Sequence, residues 1–475
     1  MPHANTSAPA AGQPRHIFLL PPPGLPVPAV KGGAVETLIT HLIEENERQG
    51  LLRLECASIP DPDAQAAAAG WKYTRMHWLA PTSPLARRLY GPLRGMAYRL
   101  GRELPQDPWY LAAARRIRQA KPDALVVEGG NLAEGARIRT GLARDVCLVH
   151  LHMQTACSPL LEEAYGGALG ISEFVLGRWQ PERLPCQKHL VYNCVDLARF
   201  CPAGPEGAST DAPADAVPPG RAPDTAADKT APAPAAPADA ATAPPAGQTG
   251  GTAAGAPGAA VSRTALRAEL GLGQDDFAVF FCGRICPEKG VHKLVRAIAL
   301  LPEQFKLVVV GSPFFAVEDS SPFFEELKAL SAPLIAAGRV RFTGFVHNSR
   351  LPGYYRAADA AVLPAVWDEP AGITAIEAMA CGCPVIATDS GGMPEYLAGS
   401  GAVLLMRDEV IEDDGTVHLV PGAPPLDEAI ADALLALADD EPRRKAMAAA
   451  GALRAKAFGR SEYYRQFCRA MGVDC

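Results

Sequence analysis

Short apolar runs alternate with longer amphipathic stretches along most of the chain. Continuous apolar runs are typical of strands that are covered on both faces, as in a parallel sheet. The runs that predict such strands are 16–20, 51–58, 124–128, 145–152, 277–282, 305–311, 340–346, 360–364, 384–388 and 402–405. Apolar residues at helical spacing predict helices over 34–43, 85–104, 109–120, 373–381, 426–438, 442–458 and 461–471. Strands and helices that alternate in this way predict an α/β fold with doubly wound parallel sheets.

One long segment interrupts this alternation. Residues 203–262 are almost entirely Ala, Pro, Gly, Thr and Asp, which cannot build a core, so the sequence predicts a disordered linker or surface insertion there. Residues 1–14 lack the apolar core of an export signal and are predicted to be a disordered tail. A chain of 475 residues is long enough for two domains. The predicted domains are 15–202 and 263–460.

Composition narrows the class of protein. With 48% hydrophobic and 20% charged residues the chain is globular, and a net charge of −7 gives no support to nucleic-acid binding. No apolar run is long enough to span a bilayer. The cysteine pairs Cys381/Cys383 and Cys282/Cys286 each lack a second pair at zinc-site spacing. Reduced thiols in a cytoplasmic protein are therefore expected.

The stretch 368–397 contains the main candidate ligand-binding residues of the chain. A helix predicted to start near Ile373 follows Gly372, and its free N–H groups and positive dipole end suit an anion. Glu369 stands at this helix mouth, and Glu377 lies about two turns into the helix. Two carboxylates beside an anion site suit a ligand that carries both phosphate groups and several hydroxyl groups. The alternative is that Glu369 caps the helix and Glu377 is a solvated helical residue.

Taken together, this stretch resembles the retaining glycosyltransferases of family 4, which have the GT-B fold of two doubly wound parallel-sheet domains facing a cleft. The matching residues are Glu369, Glu377, Ala378, Met379, Ala380, Gly382, Pro384, Val385, Ile386, Ala387, Thr388, Gly391, Gly392 and Glu395. The resemblance implies that Glu369 contacts the donor sugar and is catalytic, while Glu377 contacts the ribose hydroxyls. Many members have Phe where this chain has Ala371, but the backbone N–H groups of Ala371, Gly372 and Ile373 remain available to the donor.

A second motif, the loop from Gly283 to Gly290, resembles the family's G-R-x-x-x-E-K-G loop. Arg284 and Lys289 on a strand-to-helix turn can neutralise a diphosphate and stabilise it as it leaves. The alternative is that they are ordinary surface cations. The resemblance also implies that the backbone of Phe345 and Val346 holds the donor base.

The first domain resembles the family's acceptor domain. The sequence of residues 19–39 is especially similar to that of bacterial spore-coat-associated members of the family. Gly32 and Gly33 are expected to let their loop approach the donor diphosphate. His152 matches the family histidine that faces the donor sugar, whereas His150 is interpreted as a core histidine. Residues 171–174 resemble the strand after which this domain closes. The family returns the last helix, 461–475, to the first domain.

Residues 85–104 are basic and amphipathic, and Gly91-Pro92 is predicted to break them into two helices. Two interpretations stay open. The preferred one is an ordinary solvated helix face, and the second is contact with a membrane surface or an anionic acceptor, which would place the protein peripherally at the inner face of the membrane.

The function predicted from these features is retaining transfer of a sugar from a nucleotide-sugar donor to a glycan, lipid-linked or other cell-surface-precursor acceptor. The nucleotide-diphosphate sugar is a co-substrate, and neither a cofactor nor a metal is expected. One alternative is a non-catalytic sugar-nucleotide-binding scaffold or coat-associated protein, which would not need both His152 and Glu369. A sugar-nucleotide epimerase on the same fold is disfavoured by the spacing of the two glutamates.

Overall fold

The computed structural model describes residues 14–130, 132–138, 140–202, 262–312 and 321–475. Of the predicted tail and linker, 1–13 and 203–261 lie outside these residues. The strands are β1 (Arg15–Leu20), β2 (Leu52–Ser58), β3 (Thr74–Trp78), β4 (Ala124–Glu128), β5 (Cys147–Leu151), β6 (Gly167–Gly170), β7 (Gln187–Leu190), β8 (Phe277–Cys282), β9 (Phe305–Val310), β10 (Val340–Gly344), β11 (Ala360–Leu363), β12 (Val385–Thr388), β13 (Val403–Leu405), β14 (Glu409–Ile411) and β15 (Val417–Leu419).

Helices separate most of these strands. They are α1 (Ala34–Gln49), α2 (Pro62–Ala68), α3 (Pro84–Arg99), α4 (Trp109–Ala120), α5 (Leu132–Ala136), α6 (Pro159–Ala164), α7 (Glu173–Arg178), α8 (Arg263–Glu269), α9 (Val291–Leu300), α10 (Pro322–Ala336), α11 (Leu351–Ala357), α12 (Ile373–Ala380), α13 (Met393–Leu397), α14 (Leu426–Asp439), α15 (Glu441–Ala455) and α16 (Arg460–Ala470). Short 3₁₀ turns cover Arg144–Val146, Pro287–Lys289 and Lys456–Phe458.

Two parallel sheets organise the described residues. The first has seven strands in the order β3-β2-β1-β4-β5-β6-β7, and the second has six in the order β10-β9-β8-β11-β12-β13. Every pairing within these two sheets is parallel. The predicted α/β class with two doubly wound parallel-sheet domains is confirmed. In addition, β14 and β15 form an antiparallel hairpin.

The central strands are apolar because helices cover both of their faces. All five residues of β4 are buried, as are all five of β5. One hydrophobic cluster continues from the first domain into the second, since it contains Val149 and Val175 as well as Ile376 and Met393. In each sheet, the carboxyl ends of the parallel strands lie along one edge, where ligands of such folds bind.

The last helix packs on the first domain rather than on the second. Its buried face consists of Tyr463, Tyr464, Phe467 and Cys468, which join a cluster with the core of β1 and α1. The Tyr464 hydroxyl donates to Asn46 Oδ1 at 2.6 Å. The chain therefore crosses between the two domains twice.

Two local predictions are wrong. The segment predicted to break at Gly91-Pro92 is one continuous helix, α3, with Pro92 inside it. Pro92 lies on an exposed surface, where water can satisfy the carbonyl that loses its helical partner. Residues 171–174 are not a strand, because β6 ends at Gly170 and Ser172 caps α7, with its Oγ accepting from the Val175 N–H.

Candidate active site

A cavity of about 330 Å³ lies where the second domain faces the start of α1. Its wall combines the carboxyl ends of β8 and β9, the loop after β11 and the first turns of α12, and Ala34 contributes from the first domain. Of the predicted site residues, it is lined by Arg284, Lys289, Phe345, Val346, Glu369, Ala371, Ile373 and Glu377. The fold thus brings together side chains from three separate loops.

Glycines fix the loop that carries Glu369. Gly391 has a φ of +52°, and a Cβ there would overlap the Glu369 carbonyl oxygen. The Gly392 N–H donates to that same carbonyl at 2.8 Å. Gly372 precedes α12 and lies against the sulfur of Met393, so an added Cβ would displace the Met393 side chain. The glycine-rich turn after β12 therefore determines where Glu369 stands.

Glu369 does not cap α12, so that alternative is wrong. The N-cap residue is Gly372, and no side chain makes a cap hydrogen bond. Instead the Glu369 carboxylate forms an ion pair with Lys289, and it accepts a hydrogen bond from Trp367 Nε1 at 3.1 Å. The Lys289 ammonium also lies 5.2 Å from the centre of the Trp367 ring. The two motifs identified in the sequence thus meet at one ion pair on the cavity wall.

Glu377 is buried, so its interpretation as a solvated helical residue is also wrong. It accepts a hydrogen bond from the Tyr355 hydroxyl at 2.8 Å. Burial raises the pKa of Glu377 to about 7, although the Tyr355 bond acts in the opposite direction. A carboxyl group held in this way on a cavity wall can accept hydrogen bonds from ligand hydroxyls, which would offset its burial.

Arg284 follows β8 and is exposed at the cavity. Within the described ranges it has no carboxylate partner, so its charge is available to an anion. The turn around it depends on close backbone approaches: a Cβ at Gly311 would overlap the Gly283 carbonyl, and a Cβ at Gly290 would overlap that of Pro364. Both glycines have positive φ values, 140° and 68°.

Gly32 and Gly33 do not line the cavity, but they directly precede Ala34, which does. Gly33 is the N-cap of α1 with a φ of +97°, and a Cβ there would overlap the Glu36 carboxylate. Glu36 is itself buried, and burial raises its pKa. The glycine loop therefore brings backbone, rather than side chains, toward the cavity.

His152 is not part of the cavity wall. It lies behind Gly129, where an added Cβ would contact both the His152 ring at 3.0 Å and Val35 at 3.4 Å. Val35 directly follows Ala34, so the imidazole lies on the first-domain side of the site, near the start of α1. His152 is 8% exposed and its pKa is lowered, first by burial and then by His150.

The partner of His152 is Glu128, at the end of β4. Burial would raise the pKa of Glu128, but the imidazoles of His150 and His152 lower it to about 2. An ionised carboxylate only accepts hydrogen bonds. Both imidazoles therefore donate to Glu128 Oε2, His150 through Nδ1 at 2.8 Å and His152 through Nε2 at 3.2 Å. This assigns the free lone pair of His152 to Nδ1.

Within the described residues, the side chains of Glu128, His150 and His152 form a group that could hold a metal ion. Their ligand atoms lie within 4.8 Å of one another, and two imidazoles with a carboxylate suit Zn²⁺. His150 is buried as predicted, but its Nε2 and the Oε1 of Glu128 have no partner within the described part of the chain.

Two residues of this region were not identified from the sequence. Glu128 ends an apolar run, so its polarity was visible, but its contact with His152 depends on how β4 and β5 pair. Glu395 matched the family pattern without a role. Its carboxylate accepts from the N–H groups of Glu173 and Phe174 at 2.7 and 2.8 Å, at the start of α7 in the first domain. It therefore joins the two domains.

A neighbouring contact supports the same junction. The Ser172 hydroxyl donates to the Pro370 carbonyl at 2.8 Å, and the Tyr396 hydroxyl donates to the carbonyl of Ile171 at 2.5 Å. Because Pro370 directly follows Glu369, the first domain contacts the loop that forms the cavity wall.

The second domain is similar in sequence to a known protein family. Residues 262–454 match the family described as Glycosyl transferases group 1. A D-inositol 3-phosphate glycosyltransferase of Xylanimonas cellulosilytica is 37% identical over 206 residues, which cover 43% of this chain and 44% of the relative. The chain thus matches less than half of that relative's length.

Solved structures resemble the chain over both domains. Anabaena HepE in complex with UDP and glucose has a TM-score of 0.62 at 17% identity, over 96% of this chain and 99% of that one. Sucrose-phosphate synthase from Thermosynechococcus elongatus has a TM-score of 0.62 at 19% identity, over 96% and 98%. The second domain is thus similar in sequence to the group 1 glycosyl transferases, and the chain has the two-domain GT-B fold.

Proposed function

We propose that the protein transfers a sugar, with retention of anomeric configuration, from a nucleotide-diphosphate sugar to a glycan, lipid-linked or other cell-surface-precursor acceptor. The observation that carries this proposal is the composition of the cavity wall. It combines two cations, two carboxylates and a helix N-terminus, which are the groups that a diphosphate joined to two polyols requires.

The donor is proposed to lie along the second domain. Arg284 and Lys289 pair with the diphosphate, Glu377 accepts hydrogen bonds from the ribose hydroxyls, and the backbone at Phe345 and Val346 holds the base. Uridine is the first base to test, because HepE was solved with UDP-glucose. Donor binding would require Lys289 to share its charge between Glu369 and the diphosphate.

In the proposed reaction, the acceptor hydroxyl oxygen bonds to the anomeric carbon while the bond from that carbon to the phosphate oxygen breaks. The hydroxyl proton passes to the departing phosphate, so that the nucleoside diphosphate leaves with its charge paired to Arg284. Glu369 stabilises the positive charge that develops on the sugar. His152 is proposed to act from the first-domain side. Its Nε2–H donates a hydrogen bond to Glu128, which leaves Nδ1 available as an acceptor. No metal enters any of these steps.

The proposal is tested by calorimetric affinity for UDP and by initial rates against a panel of nucleotide sugars. Arg284→Ala and Lys289→Ala should each weaken nucleotide binding by about 1.5–3 kcal/mol, since each removes a charge-assisted contact. Arg296→Ala is the matched control, because Arg296 is an exposed arginine of α9 that does not line the cavity. Unchanged nucleotide affinity in both cavity variants would refute the assignment.

Catalysis is separated from binding by a second pair of variants. Glu369→Gln and His152→Ala should lower turnover more than they lower UDP affinity, because both act on the transferring sugar. Parent-like rates in both variants would make these residues structural. A parent protein that binds a nucleotide tightly but turns over no donor in the panel would favour the scaffold function instead.

A further inference from the structure

Among the described residues of the first domain, the most exposed large apolar side chains lie on α3. Six large hydrophobic side chains on this helix and the turn after it are between 50% and 73% exposed. Tyr98 is one of them, and the other five are Leu85, Leu89, Leu93, Met96 and Leu100. Within α3 only Tyr90 is buried, and its hydroxyl donates to the Pro105 carbonyl at 3.0 Å. The helix is thus held to the domain on one side and leaves its apolar side uncovered.

These five side chains form one stripe. They are spaced four, four, three and four residues apart, which places them within an arc of about 80° on a helix of 3.6 residues per turn. The stripe depends on α3 being continuous through Pro92, because a break there would rotate Leu85 and Leu89 away from Met96 and Leu100. A continuous apolar face of this kind normally contacts another surface.

The charge around the stripe indicates what that surface is. Residues 84–102 contain five arginines and no acidic residue, in a chain whose net charge is −7. Arg87 pairs with Asp107 at 2.7 Å. Within the described part of the chain, the other four, Arg88, Arg94, Arg99 and Arg102, have no carboxylate partner. Arg88 and Arg99 both lie beside one edge of the apolar arc on a helical projection, the edge formed by Leu85.

We propose that residues 84–102 form a docking surface for an anionic lipid bilayer. A helix with an apolar stripe and unpaired arginines lies in the plane of the interface, with its stripe among the acyl chains and its guanidinium groups on lipid phosphates. No helix within the described residues is long and apolar enough to cross a bilayer, so this contact places the protein on the membrane surface.

The position of α3 gives the contact a direction. The helix follows β3, the edge strand of the first sheet, and β3 runs parallel to β4 and β5. It therefore starts at the same edge of the sheet at which Glu128 and His152 lie. Docking would bring this edge toward the lipid, where a lipid-linked acceptor would be presented. Only this orientation argument depends on the proposed transferase function, because docking itself does not.

Vesicle co-sedimentation of the full chain tests the proposal without any measurement of activity. The parent should bind vesicles that contain phosphatidylglycerol, bind pure phosphatidylcholine much less, and lose binding as salt increases. Leu89→Ser with Met96→Ser, and separately Arg88→Glu with Arg99→Glu, should lower partitioning at least about tenfold. Leu453→Ser and Arg296→Glu are matched controls, since both residues are exposed outside α3.

Three outcomes would overturn the proposal. The parent could ignore anionic vesicles at low salt, or the α3 variants could bind as the parent does. The third is concentration-dependent self-association that Leu89→Ser with Met96→Ser abolishes while vesicle binding is absent, which would assign the stripe to a second copy of the chain. Circular dichroism and UDP affinity establish that each variant is folded. Vesicle binding without any sugar transfer would leave this inference standing and the transferase proposal refuted.

Discussion

Glu377→Gln should stabilise the unliganded protein at pH 8, although it removes a residue assigned to donor binding. The folded protein holds the carboxyl group in a buried position that raises its pKa from 4.5 to about 7. Ionisation of Glu377 is therefore easier in the unfolded chain than in the folded one. This difference in pKa corresponds to about 3 kcal/mol, which is the upper limit of the expected gain.

The sign follows from proton binding. Below pH 4.5 the group is protonated in both states and contributes no difference. Between pH 4.5 and pH 7 the unfolded chain releases its proton while the folded protein keeps it, so the parent loses stability as the pH rises. Above pH 7 the loss is complete and constant. The glutamine variant does not titrate, so its advantage should be near zero at pH 4.5 and largest above pH 7.

The measurement is urea unfolding of both proteins, followed by tryptophan fluorescence, at pH 5 and pH 8. Equal slopes with a higher midpoint for Glu377→Gln at pH 8 would assign the gain to stability alone. Glu369→Gln is the matched control on the same cavity wall, because its carboxylate is paired with Lys289 and its amide should give no gain. A variant that is less stable than the parent at pH 8, or equally stabilised at both pH values, would refute the reasoning.

Three further outcomes are expected. Glu128→Gln should lower stability by about 1–3 kcal/mol in urea unfolding, because two buried imidazoles lose a charged acceptor; no loss would mean that the imidazoles find other partners. Gly391→Ala should destabilise more than Gly399→Ala, which has a similar positive φ but open space around it; equal losses would show that the Glu369 carbonyl yields to the added methyl. Glu395→Gln should weaken the domain junction and raise the rate of proteolysis there, so parent-like protease resistance would count against that role.

The sequence predicted the strand and helix pattern well because each central strand is covered on both faces and carries a continuous apolar run. β4 and α4 have the predicted bounds. The failures have local causes. Pro92 was expected to break a helix, but α3 continues through it, and its exposed position lets water satisfy the carbonyl that loses its helical partner. Residues 171–174 were assigned to a strand although Ser172 is an N-cap residue.

The cavity wall was also largely predictable, since both motifs had been identified and both line it. The sequence pattern could not predict which side chains from distant elements contact each other. Lys289 and Glu369 form an ion pair across 80 residues, and Glu128 contacts His152 only because β4 and β5 are neighbours. The alternative of a solvated Glu377 also missed its burial, although every other residue of α12 except Thr374 is apolar.

The packing of α16 on α1 has a consequence for how the chain folds during synthesis. The hydrogen-bonded side chains of Tyr464 and Asn46 are 418 residues apart, and the whole second domain lies between them. Residues 15–202 leave the ribosome first, but their core lacks Tyr463, Tyr464 and Phe467 until α16 has been made. The second domain is continuous in sequence and can complete its core earlier. The domain that is translated first is therefore completed last, and until then the apolar side of α1 is a surface for chaperones or for premature association.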